Sequence, residues 1–333
     1  MTNKKIIMTS RPTGLPKESN FSLQEDSQAS LNQGQIRLKT LWLSLDPYMR
    51  GRMSAAKSYT AGMNEGNVMT GEIIGKVTES ESKKFPEGSI VLTRSGWQSE
   101  PVVGENEVSL VDPRIDPLSL ALGTIGMPGL TAYFSLTRIG KPKKGETIVV
   151  SAGSGAVGAT VGQIGKHLGC KVVGIAGSDE KVKYMVDDLN FDAGVNYKKE
   201  TFKEDLKSST AEGCDIYFDN VGGPVTDAVL DRLNTFSRVI VCGQISQYNN
   251  LKNEDGPRNF HKFLRNQAKL EGFIVYRWAE EYQEGIDFLL KLKESGFLKY
   301  RETVVEGIEN APEAFLKLFS GENFGKLLIK VAE

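Results

Sequence analysis

Apolar and polar positions along this chain follow one rhythm before about Leu120 and another after it. In the first part Ile36 to Leu43 alternates apolar with polar residues, Gly71 to Val77 is strand-like, and Ser89 to Thr93 follows a Pro-Glu-Gly turn. Short runs of this kind between glycine turns predict a partly open β-barrel. Gly126 to Ile139 then reads as a helix with Pro128 near its first turn, and the stretch 142–145 breaks it. Beyond that, strand and helix segments alternate. Ile148-Val149-Val150 is a β-branched run of the kind buried on both faces of a parallel sheet. It is followed by a helix over Ala159 to Leu168 and a second apolar strand over Lys171 to Ala176. Helices are predicted over Lys181 to Leu189, Pro224 to Leu233, Ala279 to Ser295 and Ala311 to Phe319. Strands are predicted over Ala193 to Tyr197, Asp215 to Asp219, Arg238 to Gly243, Leu270 to Tyr276 and Gly325 to Val331. Such alternation predicts an α/β domain with a doubly wound parallel sheet, the Rossmann arrangement. The polar stretch from Asn249 to Asn259 is long enough to serve as a substrate-side lid.

Between the first of these strands and its helix lies Gly153-Ser154-Gly155-Ala156-Val157-Gly158, a complete G-x-G-x-x-G. Alone the motif is weak; between a strand and a helix it is where a dinucleotide-binding unit places it. The glycines let the chain turn sharply and let backbone N–H groups at the positive helix end approach a pyrophosphate.

Composition narrows the classes. The 333 residues carry 41 Lys and Arg against 42 Asp and Glu, a net charge of −1, which gives no general attraction for nucleic acid or anionic membranes. No apolar run approaches the ~20 residues of a membrane span, and Ile6-Ile7-Met8 behind the lysines at 4 and 5 is too short for a signal peptide. The three cysteines, Cys170, Cys214 and Cys242, fall in or beside core strands and read as buried thiols, not a disulfide framework. A soluble cytoplasmic protein of two domains is expected.

Four separated motifs carry a resemblance. Leu45-Asp46-Pro47-Tyr48-Met49-Arg50, Met127-Pro128-Gly129-Leu130-Thr131-Ala132-Tyr133, Phe218-Asp219-Asn220-Val221-Gly222-Gly223 and Ile245-Ser246-Gln247-Tyr248-Asn249 occur in that order. With a barrel-like first part, a Rossmann part and a returning C-terminal strand, the chain resembles the medium-chain dehydrogenases/reductases. Within them it resembles the zinc-free double-bond reductases of the prostaglandin reductase and alkenal/curcumin reductase type. The resemblance implies a GroES-like catalytic domain over residues 1–124, a Rossmann domain over 125–301, a C-terminal segment, 302–333, that returns to the first domain, and a homodimer.

Zinc is argued against by the residues themselves. Zinc-dependent relatives draw Cys, His and Cys or Glu ligands from the first domain. Here residues 1–169 hold no cysteine, the only histidines are His167 and His261, and Gly71 occupies the histidine slot of a Gly-His-Glu motif. No tetrahedral site can be assembled from what remains, so the expected metal is none and a substrate carbonyl must be activated by hydrogen bonds.

For the cofactor, NAD-selective folds place an acid at the end of the second strand to hold the ribose 2′-OH. The corresponding stretch is Gly177-Ser178-Asp179-Glu180-Lys181. Ser178 at the strand end can donate to a phosphate and Lys181 can supply a charge, whereas Asp179, one residue along, is the alternative NAD-type acid. The resemblance implies that Ser178, Lys181 and Tyr197 hold the 2′-phosphate of NADPH. It further implies cofactor contacts from Gly155, Ala156, Val157, Gly158, Asn220, Cys242, Gly243, Ile245, Ser246, Tyr248, Phe273, Ile274, Val275 and Asn323, with Met127 and Thr131 beside the nicotinamide.

The implied chemistry is hydride transfer to the β-carbon of an α,β-unsaturated ketone or aldehyde, followed by protonation of the enolate. Several family members propose a tyrosine acid in the segment matching 259–270, and none stands there in this chain. Tyr48 and Tyr248 are the remaining candidate acids, because a phenol with a pKa near 10 is protonated at neutral pH. His261 reads as a surface residue, and Arg50 and Arg52 as partners of acids. Quinone reduction by NADPH, and non-catalytic NADPH binding, stay open as alternatives.

Overall fold

The computed structural model describes residues 2–27, 30–56, 58–252 and 255–333. Residues 253 and 254 of the lid-like stretch lie outside them. The chain divides into two compact units, Met1–Leu122 with Glu302–Glu333, and Gly123–Arg301.

The first unit opens with a hairpin, β1 (Thr2–Met8) and β2 (Phe21–Ser27). It continues with β3 (Gln35–Leu45), α1 (Tyr48–Arg52), β4 (Ile73–Ser80), β5 (Ile90–Thr93), β6 (Val102–Gly104) and β7 (Val108–Leu110). The last segment of the chain adds β14 (Glu302–Glu306), α9 (Ala311–Ser320) and β15 (Lys326–Lys330). The resulting mixed sheet runs β14-β15-β3-β4-β5-β7, with β6 also on β3. The path is open, with β14 at one end and β7 at the other. Alternating residues of β3 and β4 (Ile36, Leu38, Leu43, Leu45, Ile73, Val77) enter the core with β15's Leu327 and Ile329. Trp97 anchors it, stacked on Phe21 at 5.7 Å and edge-on to Phe315 of α9 at 5.7 Å; such pairs add about 1 kcal/mol each beyond burial.

The second unit contains α2 (Met127–Phe134), β8 (Thr147–Ser151), α3 (Ala156–His167), β9 (Lys171–Ala176), α4 (Asp179–Asp187), β10 (Ala193–Asn196) and α5 (Phe202–Ser209). Then follow β11 (Cys214–Asp219), α6 (Gly223–Leu230), β12 (Leu233–Val241), α7 (Phe260–Asn266), β13 (Lys269–Gly272) and α8 (Tyr282–Glu294). The parallel sheet has the order β10-β9-β8-β11-β12-β13. It runs outward from β8 in both directions, as nucleotide-binding doubly wound sheets do. Ile148, Val149 and Val150 of β8 are fully buried, which is why that strand is apolar without alternation.

Several boundaries differ from the sequence reading, each for a local reason. Leu233 opens β12 instead of closing the preceding helix, because it pairs with Cys214. Gly243 falls outside β12: the N–H groups of Cys242 and Gly243 both turn to Asp219 O, at 2.8 and 3.1 Å. The run predicted as a strand to Tyr276 stops at Gly272. A 3₁₀ turn over Val275–Glu281 follows, and it buries Val275 and Trp278, the latter against Phe273. The hairpin β1–β2, α5, α7 and β14 were not foreseen as separate elements. None of the described helices is long and apolar enough to cross a membrane.

Candidate functional site

The sheet order reverses between β8 and β11, and the turns leaving the C-terminal ends of these strands carry most of the predicted cofactor residues. In open α/β sheets this reversal leaves a crevice for ligands. After β8 the chain passes through Ala152, a non-glycine residue in the left-handed region (φ 51), into the glycine turn and α3, whose N-cap is Gly155. At Gly158 a Cβ would lie 2.3 Å from Ala152 O, so only glycine permits this turn to fold back so tightly. The first N–H groups of α3, including those of Ala156, Val157 and Gly158, have no acceptor within the helix by geometry, and they form a positive end suited to an anion.

The wall opposite is organised by Asp219, 1% exposed at the end of β11. Its Oδ1 accepts from Tyr217 Oη (3.0 Å) and from the N–H groups of Val221 (3.0 Å) and Gly222 (2.9 Å). Ser151 Oγ approaches the same oxygen at 3.3 Å, while Thr226 Oγ1 donates to Oδ2 at 2.7 Å. These bonds hold the following turn, and Asn220 spans back to β8, its Nδ2 donating to Ser151 O at 2.7 Å and its N–H to Ser151 Oγ at 2.9 Å. The turn after β12 docks on the same place: Ile245 N–H reaches Asn220 O, and Ser246 N–H and Oγ both reach Val221 O. The phenolic oxygen of Tyr248 accepts from Gln244 N–H at 3.3 Å, which folds the ring over its own turn. Asn220, Cys242, Gly243, Ile245, Ser246 and Tyr248 thus form one connected surface. Phe273, Ile274 and Val275 follow β13, whose Gly272 pairs with Val241 at the end of β12. The motif showed Asn220; the carboxylate beneath it was not singled out, though Phe218-Asp219-Asn220 contained it.

At the end of β9, Ser178, Asp179 and Lys181 have different surroundings. Ser178 is the N-cap of α4, its Oγ accepting from Lys181 N–H at 3.3 Å, so its own O–H remains a donor. Asp179 is engaged elsewhere: Lys199 Nζ binds its Oδ1 at 2.8 Å and Asn196 Nδ2 donates to it at 2.9 Å. These partners hold its carboxyl below the usual range. Tyr197 lies over Gly177, where a Cβ would come within 3.0 Å of its ring. The pKa of Lys181 is lowered by burial and by the nearby charge of Lys198 and opposed by Glu180, so two cations and one acid share this corner. A phosphate monoester suits such a corner better than a bare hydroxyl. The glycine cradle and this cationic corner together fit NADPH.

The remaining predicted residues occupy separate places. Met127 and Thr131 sit on one face of α2, joined by the Thr131 Oγ1 bond to Met127 O at 2.7 Å. In the first unit Asn323 precedes β15, donating to Gly325 O at 3.2 Å. Tyr48 opens α1, partly buried against the core. Arg50 of that helix donates to Gly14 O at 2.9 Å, and burial lowers its pKa. Burial pushes the thiols of Cys170, Cys214 and Cys242 up to about 11, 12 and 12, which disfavours the nucleophilic thiolate. His261 is exposed on α7.

The histidine slot of zinc relatives is filled. A Cβ on Gly71 would fall 2.8 Å from Trp97 Cδ1 and 2.9 Å from Leu43 Cδ1, so a larger side chain there would displace the core tryptophan. Among the described residues no three His, Cys, Asp or Glu side chains are grouped to hold a metal.

Comparison with known proteins agrees with this architecture. Residues 4–111 match the family described as N-terminal domain of oxidoreductase, and residues 156–291 the family described as zinc-binding dehydrogenase. The chain is 44% identical over 340 residues to the NADPH-dependent curcumin reductase of Escherichia coli (strain K12), covering 99% of this chain and 97% of that one. It is 45% identical over 323 residues to prostaglandin reductase 1 of Mus musculus, covering 95% of each. The crystal structure of CurA from Vibrio vulnificus in complex with NADPH superposes with a TM-score of 0.95 at 42% identity, over 99% of each chain.

Proposed function

This chain belongs to the curcumin, prostaglandin and alkenal reductase family of the medium-chain dehydrogenases/reductases, and on that premise we propose that it reduces the carbon–carbon double bond of α,β-unsaturated ketones and aldehydes with NADPH. The observation that carries the reading is the tight glycine turn between β8 and α3, with Ser178, Lys181 and Lys198 at the ends of the neighbouring strands β9 and β10. It suits the cofactor with which a chain of the same fold and 42% identity is described.

When bound, NADPH supplies the hydride that adds to the β-carbon of the substrate. The chain's own contribution begins with holding. The N–H groups of α3 take the pyrophosphate, Ser178, Lys181 and Tyr197 the 2′-phosphate, and the Asn220 and Cys242–Tyr248 turns, with Met127, Thr131, Phe273–Val275 and Asn323, the nicotinamide half. Orientation of this kind supplies much of the rate. The enolate oxygen then needs a hydrogen-bond donor and the α-carbon a proton. Tyr48 and Tyr248 are the donors proposed, since a neutral phenol keeps its proton at pH 7. With the Gly71 slot closed by Trp97, polarisation of the carbonyl falls to hydrogen bonds.

The proposal includes a homodimer in the cytoplasm, where the unpaired cysteines stay reduced. Its support is the edge of the parallel sheet: β13 is an end strand, and Phe260, Leu264 and Leu270 beside it are 85%, 83% and 53% exposed. Large apolar side chains left in solvent near a sheet edge invite contact with another copy.

The test is NADPH oxidation with an enone, an alkenal and a quinone side by side. Saturated carbonyl product from the first two supports the reading; turnover of the quinone alone contradicts it.

A further inference from the structure

Lys326 is 4% exposed, and a lysine is almost never buried so deeply without a reason in its surroundings. It opens β15, which pairs antiparallel with β3 in the register Leu327↔Leu45. That register sets its ammonium at the end of β3, where Nζ donates to Leu45 O and to Asp46 Oδ1, both at 2.8 Å. Asp46 is itself 5% exposed, and its other carboxylate oxygen accepts from Ser44 Oγ. Two residues further on is Tyr48, the first residue of α1, and Met49 N–H bonds back to Asp46 O at 3.1 Å. The ammonium therefore grips both the backbone and the side chain of the link between β3 and α1.

Two more acids surround it. Glu72, beside the start of β4, and Glu302, in β14, are both raised by burial, and the charge of Lys326 lowers each. Glu302 accepts from Ser119 Oγ at 3.0 Å on one oxygen, while the other is buried without a hydrogen-bond partner. Stability alone is a poor explanation for this cluster. Buried ion pairs are often matched or exceeded in stability by well-packed apolar residues. What the cluster provides is a fixed geometry for the segment Asp46–Arg50.

The geometry points to Lys326 as a positioning residue that acts through Tyr48: by clamping Leu45 O and Asp46 it sets the aim of the tyrosine during enone reduction. This rests on the proposed function, and on Tyr48 as a proton donor in it. The experiment is a cycle of Lys326→Met, Tyr48→Phe and the double variant. It is read as kcat with an enone, NADPH affinity by fluorescence, and melting temperature. Each single variant should lower kcat at least tenfold with NADPH affinity within threefold of the parent, and the double variant should lose less than twofold more than Tyr48→Phe. Losses that multiply, an unchanged kcat in Lys326→Met, or an unchanged kcat in Tyr48→Phe would each overturn the inference. Should Lys326→Met fail to fold, Asp46→Asn with Lys326→Met removes both members of the buried pair, so that Asp46 is not left as an uncompensated charge. A kcat still lowered and still non-additive with Tyr48→Phe supports positioning, and a kcat restored along with the melting temperature overturns it. An unmutated protein that turns over no enone would instead refute the function itself.

Discussion

Asp179 and Lys181 stand two residues apart at the start of α4, and their neighbours differ. Both were visible in the sequence as alternatives. What separates them is tertiary: β10 returns beside β9 and brings Asn196 and Lys199 onto Asp179. Asp179 stays ionised and is paired with Lys199, so on the proposed reading it is not the acid that holds a bare ribose diol. Lys181, beside Lys198, keeps the positive field. Lys181→Ala should therefore weaken NADPH at least tenfold, about 1.4 kcal/mol, with NADH affinity within twofold, as measured by fluorescence titration of both cofactors. Equal losses for the two would remove Lys181 from the 2′-phosphate site. Asp219 teaches the complementary lesson. Asn220 could be read from its motif, but the convergence of donors on the carboxylate before it depends on where β8, α6 and the turn meet, which no spacing reveals.

At the scale of elements, β8, β9 and β11 were legible because burial on both faces leaves an unbroken apolar run. Elements that bury little were not. α5 buries only Leu206, and α7 exposes Phe260 and Leu264 while burying Lys262 and Asn266, the reverse of a readable apolar face. The ends of β12 and β13 were misjudged because hydrogen bonds to Asp219 O and packing on Trp278 overrule local propensity. The junction of β3, β4 and β15 carries a consequence for stability. The Glu72 carboxyl ordinarily titrates near 4.5; burial lifts it to about 7, opposed by Arg94 and reinforced by Asp46. The unfolded chain thus gives up this proton at lower pH than the folded one. The contribution of Glu72 to stability is therefore greatest below pH 4.5, falls as pH rises to about 7, and is level beyond. Glu72→Gln should flatten most of that slope, leaving the part due to Glu302. It should raise stability at pH 8 by up to roughly 3 kcal/mol with little change below pH 4.5, as read by denaturant melts across pH. A variant equally destabilised at every pH would show that Glu72 is charged and satisfied in the fold.

At the scale of the whole molecule, the change of hydrophobic rhythm showed a β-rich part followed by an α/β part, and the family motifs implied the α/β fold class. The chemistry could not be read from composition, because a net charge of −1 and an even mix of residues exclude classes without selecting one. The sheet edge at β13 sets one further expectation: light scattering after gel filtration should give twice the 36.6 kDa chain mass. Leu264→Lys should then shift the protein toward a single chain; a parent already at the mass of one chain would contradict the dimer. The central claim is where the hydride goes. An enone incubated with the protein and NADPH deuterated at C4 of the nicotinamide should yield the saturated ketone with deuterium on the β-carbon and a solvent-derived proton on the α-carbon. Deuterium on the carbonyl carbon of an allylic alcohol, or cofactor oxidation with quinone alone, would contradict it.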